Sequence, residues 1–98
     1  MDVRFSDDSL EDLEINREAK TGHSEAIVRA FRKVLRIIRD ARDERDIRAM
    51  KSLRLEKLKG DRDGQYSLRL NDRWRLILLI LDTEPKHTIQ VVEIDDYH

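Results

Sequence analysis

The 98 residues, 39% hydrophobic and 42% charged, suffice for one domain, residues 1–98, with one modest core. The absence of cysteine excludes a disulfide framework and a thiolate metal site, and no apolar run approaches the length of a membrane span. The net charge of −1 conceals sixteen Lys or Arg against eight Asp or Glu over residues 29–75, and four against thirteen elsewhere. A basic middle between acidic ends suits a surface that meets a polyanion. A solvated helix face laced with ion pairs explains the helical part of that charge more simply. The start, Met-Asp-Val-Arg-Phe, lacks the basic segment and apolar run of a signal peptide, so a soluble, intracellular domain is expected.

In chain order, Asp2 to Phe5 alternates weakly and reads as a short strand with Val3 and Phe5 on one face. Ser6, followed by Asp7 and Asp8, reads as a helix start: a hydroxyl cap with carboxylates near the positive end of the helix dipole. Leu10, Leu13 and Arg17 mark one face of that short helix, which stops before Gly22. A second helix begins near Ser24. Its stripe of Ile27, Phe31, Val34, Ile38 and Ala41 faces a sheet, widened by Val28 and Leu35. Asp43 to Asp46 interrupts the stripe, and Ile47, Met50 and Leu53 suggest a short helical turn back toward the sheet.

A basic loop bounded by Gly60 and Gly64 precedes an alternating strand, with Tyr66, Leu68 and Leu70 on one face and Ser67 and Arg69 on the other. Asn71-Asp72 has the composition of a two-residue hairpin turn. Leu76 to Leu81 is apolar throughout, as in a strand covered on both faces. After a turn containing the only proline, the β-branched run Thr88 to Ile94 forms the last strand. The expected fold is α+β, with an N-terminal strand and two helices packed on one side of a mainly antiparallel sheet.

Three features can carry chemistry. Lys57, Lys59 and Arg62 surround the glycine-bounded loop, and such cations bind phosphate oxygens and stabilise charge growing on a phosphorane-like transition state. Basic loops are more often merely solvated. Arg73 and Arg75 flank Trp74, and alternation places both on the face opposite the indole. A cation there needs an anionic partner, for which Glu93 or Asp95 would serve. The third feature is Asp96-Tyr97-His98. His and Tyr can both move protons, His near neutral pH, although on residue type alone a frayed end is the commoner explanation.

Taken together, Leu58-Lys59-Gly60-Asp61-Arg62-Asp63-Gly64, Tyr66-Ser67-Leu68, Asn71-Asp72-Arg73-Trp74-Arg75-Leu76 and Asp96-Tyr97-His98 closely resemble the HigB toxins. These are the plasmid-maintenance killer branch of the RelE/ParE superfamily of bacterial type II toxin–antitoxin systems. The motifs cover about the C-terminal half of the chain, and the helical half agrees in layout. The resemblance implies a RelE-like fold and a ribosome-dependent endoribonuclease, an mRNA interferase that cuts mRNA in the ribosomal A site and so inhibits translation. The ribose 2′-OH attacks the adjacent phosphate and leaves a cyclic phosphate and a free 5′-OH. No cofactor or metal is implied, because the nucleophile lies within the substrate.

The resemblance places Lys59 and Arg75 at the phosphate-binding and transition-state-stabilising positions. Asp96, Tyr97 and His98 fall at the terminal catalytic cluster, His98 being the natural proton-transfer group. Lys57, Arg62 and Arg73 are the expected RNA-binding cations. Where some members carry a histidine three residues before the loop lysine, this chain has Glu56. A carboxylate can take the 2′-OH proton, but it also repels phosphate. The implied partners are a HigA-like helix-turn-helix antitoxin, the ribosome and mRNA, with no membrane. The implied assembly is a toxin–antitoxin heterotetramer that binds operator DNA through the antitoxin, in the bacterial cytoplasm. The acidic C-terminal strand is left unexplained by RNA and is assigned to the antitoxin. Two other readings compete: a ParE-like toxin that inhibits DNA gyrase and cuts nothing, and an inactive member that only binds its antitoxin.

Overall fold

In a computed structural model, which describes residues 1–16, 18–19 and 22–96, the order is β1 (Asp2–Phe5), α1 (Asp8–Ile15), α2 (Glu25–Asp40), α3 (Glu44–Ala49), β2 (Glu56–Lys57), β3 (Tyr66–Arg69), β4 (Trp74–Leu81) and β5 (Thr88–Asp96). The five strands form one sheet in the order β1-β5-β4-β3-β2. Among the described residues the β1–β5 pair is parallel and the other pairs are antiparallel. The α+β architecture read from the sequence is the one found; the helical turn expected around Ile47 is the short α3, and a two-residue edge strand is added. Arg17, expected on the inner face of α1, lies outside the described residues.

The cap of α1 falls one residue later than expected. Asp7, not Ser6, accepts the Leu10 amide at 3.1 Å, while the backbone N–H of Ser6 donates to the carbonyl of Val91 at 2.9 Å. A residue already tied to β5 continues the sheet, and the cap passes to its neighbour. Ser24 caps α2 as expected, its hydroxyl accepting the Ile27 amide. At the other end of α2 the Met1 nitrogen donates to the carbonyls of Ile38, Arg39 and Ala41 at 3.2, 3.0 and 2.6 Å, adding donors where the helix runs out of its own.

Asp43 caps α3, accepting from the Arg45 amide at 2.9 Å and from its guanidinium at 3.2 and 2.8 Å. The Arg45 side chain first, and then its amide, hold the Asp43 carboxyl at about 2, below the ordinary 3.8. A depressed folded value means that this contribution to stability is complete above the ordinary value and lost as pH falls through about 2. A carbon-13 titration of the Asp43 carboxyl should therefore show its midpoint near 2, whereas a midpoint near 3.8 would mean that the cap does not form in solution.

The helices cover one face of the sheet. Phe31, Val34, Leu35 and Ile38 of α2 pack in one buried cluster with Leu10 and Leu13 of α1, Ile47 of α3, and Leu68, Leu76, Leu78, Ile89 and Val91 of the sheet. Part of the positive charge on and between the helices is paired with carboxylates, as in Arg39 with Glu14 at 2.7 Å, Arg42 with Asp46 at 3.0 Å and Arg45 with Asp43 at 2.8 Å. In β4 the expected cover on both faces holds only for the first half. Leu76, Ile77 and Leu78 are buried, whereas Leu79, Ile80 and Leu81 are partly exposed. The hairpin connection is longer than the two-residue turn expected. Leu70 leaves the strand, and Leu70 to Arg73 make the turn around the Asn71 side chain, which accepts the amides of Arg73 and Trp74 at 2.9 and 2.8 Å.

Candidate active site on the open face of the sheet

Because Leu76 and Leu78 point to the helices, alternation turns Arg75 and Ile77 to the opposite, open face. The register then fixes what lies beside them. Ser67 stands opposite Ile77 and Arg69 opposite Arg75 on β3, Glu56 opposite Ser67 on β2, and Glu93 and Asp95 opposite Ile77 and Arg75 on β5. One row across the open face thus reads Glu56, Ser67, Ile77, Glu93, and the next reads Arg69, Arg75, Asp95. Arg75 is only 9% exposed and Ser67 1%. A cation so far withdrawn from water acts on a nearby charge through a lower dielectric than a surface arginine does.

β5 reaches this arrangement through a bulge. Ile77 pairs with Glu93 but Leu78 pairs with Val91, so Val92 is the extra residue. The bulge lets Ile89 and Val91 face the helices together with Ile94, while Glu93 and Asp95 remain on the open face.

The basic loop has regular structure. β2 precedes it, and it opens with a 3₁₀ turn, Gly60–Arg62. Gly60 and Gly64 have φ of +68° and +91°, a left-handed backbone that strains any side chain, with open space where a Cβ would stand. The requirement for glycine is therefore conformational. This turn delivers Arg62 to the open face, where its guanidinium donates to the Gln65 side chain at 2.9 Å and to Glu93, with Asp95 at 3.8 Å. Lys59 is exposed at the start of the same turn.

The remaining predicted residues separate. Lys57 pairs with Tyr66, one position along from Glu56, so it projects from the other face of β2. Arg73 does not share a face with Arg75. It lies in the turn, 5.8 Å from the Trp74 ring, and grips Asp96 with two hydrogen bonds of 2.9 and 2.8 Å. That carboxylate holds the Arg73 guanidinium even more firmly protonated than usual. His23 lies edge-on to Trp74, with ring centroids 5.1 Å apart. Asp96 pairs in register with Trp74, which places it on the opposite face from Asp95. Tyr97 and His98 lie outside the described residues. The structure therefore brings Glu56, Arg62 and Arg75 onto one face and groups Arg73 with Asp96. Sequence reasoning did not single out Ser67, and it treated Glu93 and Asp95 only as counter-ions for Arg75. Alternation within Thr88–Asp96 was the available signal for the two acids.

Residues 3–96 match the family described as RelE-like toxin of type II toxin-antitoxin system HigB. The chain belongs to that family. This HigB-family toxin shares its fold with a YoeB/ParE toxin from Agrobacterium tumefaciens, at 19% identity, a TM-score of 0.61 and full coverage of both chains. It is also similar to the toxin in a heterotetrameric YoeB-YefM toxin-antitoxin complex from Staphylococcus aureus, at 23% identity and a TM-score of 0.61, covering 100% of this chain and 97% of the other. YafQ from E. coli strain BL21(DE3) superposes at 10% identity and a TM-score of 0.62, over 97% and 91% of the two chains. No match was found among curated proteins.

Proposed function

We propose that this toxin is a ribosome-dependent mRNA endoribonuclease that cleaves by attack of a ribose 2′-OH on the adjacent phosphate. The observation that carries the reading is the nearly buried Arg75, on the same open face as Glu56 and the loop cation Arg62. In the reaction the 2′ oxygen forms a bond to phosphorus and the bond to the 5′ oxygen breaks, giving a 2′,3′-cyclic phosphate and a 5′-OH. A base takes the 2′ proton and an acid supplies one to the departing 5′ oxygen, so the reaction consumes no water. Glu56 is assigned as the base and His98 as the acid, with Tyr97 completing the terminal cluster, while Asp96, gripped by Arg73 on the other face, anchors the strand end that carries them. Arg75 and Lys59 are assigned to the charge that grows on the non-bridging oxygens. Arg62 is assigned to the RNA backbone at this face, and Lys57 and Arg73, which project elsewhere, to RNA beyond it, where their contribution falls with salt.

The proposed partners are a HigA-like antitoxin, ribosomes and mRNA, in the bacterial cytoplasm. The heterotetrameric YoeB-YefM complex is the precedent for a toxin–antitoxin assembly. Operator binding through the antitoxin is the corresponding proposal for repression.

The test is cleavage of mRNA on programmed ribosomes, run beside free mRNA and a gyrase supercoiling assay. Ribosome-dependent cuts are expected from the wild type. Gyrase inhibition without cuts would favour the ParE-like alternative, and neither activity would leave an inactive antitoxin binder. Within the same assay Glu56→Gln and His98→Gln should each slow cleavage by about 100-fold or more while the protein stays folded. Faster cleavage by Glu56→Gln would instead make Glu56 an anion that opposes RNA, and the base would have to come from the terminal cluster.

A further inference from the structure

The loop cation Arg62 faces three acceptors supplied by its own chain. One end of its guanidinium donates to Gln65 at 2.9 Å, and the other donates to Glu93 and stands 3.8 Å from Asp95. These contacts cross the open face, since Glu93 is opposite Ile77 and Asp95 opposite Arg75. A carboxylate and a phosphate present the same kind of acceptor to a guanidinium. Glu93 therefore occupies the seat on Arg62 that a substrate phosphate oxygen would take.

The Arg62 and Glu93 side chains are 36% and 43% exposed, so an incoming anion can reach the pair without unfolding anything. An ion pair this accessible to water is exchangeable and not a fixed strut. We infer that Glu93, backed by Asp95, is an internal competitor for substrate phosphate at Arg62, a specificity-determining residue that lowers affinity for RNA arriving alone. RNA must displace the carboxylate to engage Arg62, and a strand held in place by a larger assembly meets that requirement more readily than a free one. This inference rests on the nuclease reading for its substrate, but its test does not depend on cleavage.

The probe is a single-stranded RNA oligonucleotide with 2′-O-methyl riboses, which lacks the nucleophile and cannot be cut by this route. Its affinity is measured by fluorescence anisotropy at fixed salt for the wild type, Glu93→Gln, Arg62→Gln and the double variant. Glu93→Gln should bind about fivefold tighter than wild type, the scale expected for release of one exposed ion pair. Arg62→Gln should bind more weakly. In the Arg62→Gln background the Glu93→Gln gain should shrink to about twofold or less, because the cation being contested is gone.

An equal gain in both backgrounds would overturn the inference, since Glu93 would then act only by general repulsion. Weaker binding by Glu93→Gln would also overturn it, because Glu93 would be positioning Arg62 for phosphate. If Glu93→Gln fails to fold, Asp95→Asn carries the same cycle, with the same sign and a smaller gain expected. No oligonucleotide binding by any variant, alongside ribosome-dependent cleavage by wild type, would overturn the competition and leave the nuclease reading standing. Loss of ribosome-dependent cleavage in wild type, with the cycle as expected, would do the reverse.

Discussion

Arg75→Ala should lower the rate of mRNA cleavage on programmed ribosomes by about 100- to 1,000-fold, and with it abolish growth inhibition. The magnitude is that of removing one preorganised donor from a developing oxyanion. Arg75 is preorganised by its place on β4: Leu76 beside it is fully buried, and the backbone is paired on both sides, with Arg69 and with Asp95. Arg75 is 9% exposed as a residue, so its charge is less screened than that of Lys57 or Lys59, both exposed. Arg75→Lys should recover part of the rate, because the charge returns without the planar fork that matches two phosphate oxygens. The check is single-turnover cleavage with circular dichroism on the same samples. A folded Arg75→Ala protein that cuts within twofold of wild type would remove Arg75 from the mechanism.

Leu78→Ala should destabilise the fold by about 2–5 kcal/mol, the range for removing a buried leucine side chain and leaving a cavity. Leu78 is 1% exposed and belongs to the cluster that joins Phe31, Val34 and Ile38 of α2 to Ile89 and Val91 of β5. It also sits at the bulge, between Tyr66 on β3 and Val91 on β5, where neighbouring strands have little freedom to close a void. A domain of this size has about 5–15 kcal/mol of stability in all. The loss should therefore lower the melting temperature by about 10–30 °C. Ile80, on the same face but only partly buried, should give a smaller effect when truncated. An unchanged melting temperature for Leu78→Ala would mean that β4 is not the central strand.

The elements were legible wherever one physical signal repeated along the chain. The stripe from Ile27 to Ile38 is helical because apolar residues three and four apart share one face; Ala41 follows just past the helix end, and all five are buried. Ser24 was legible as its cap because a hydroxyl before such a stripe has an unpaired amide to meet. The alternation of Tyr66 to Arg69 and the apolar run from Leu76 likewise fixed two strands. The errors came where a hydrogen bond outside the repeating pattern intervened, in one case from a distant strand and in the other from a neighbouring side chain. Ser6 has the chemistry of a cap, yet its amide pairs with Val91, eighty-five positions on. The hairpin turn lengthened because Asn71 uses its side chain to hold the amides of Arg73 and Trp74.

By itself the sequence determined the class of fold, the family through its motifs, and the presence of cations around a glycine-bounded loop. These follow from local periodicity, backbone freedom at glycine and residue type. Only the tertiary structure decided which cations share a face. Arg73 and Arg75 are two apart and look equivalent in the chain, but the turn ends between them. Arg73 leaves toward Trp74 and Asp96, and Arg75 stays on the open face. The acidic strand, assigned from the sequence to a partner, turns Glu93 toward Arg62 of the same chain. The cause is the bulge at Val92: one extra residue resets the strand's alternation, so the apolar residues on both sides of it reach the helices while two carboxylates meet the loop cation. A bulge depends on how two strands pair, and pairing is a property of the folded sheet.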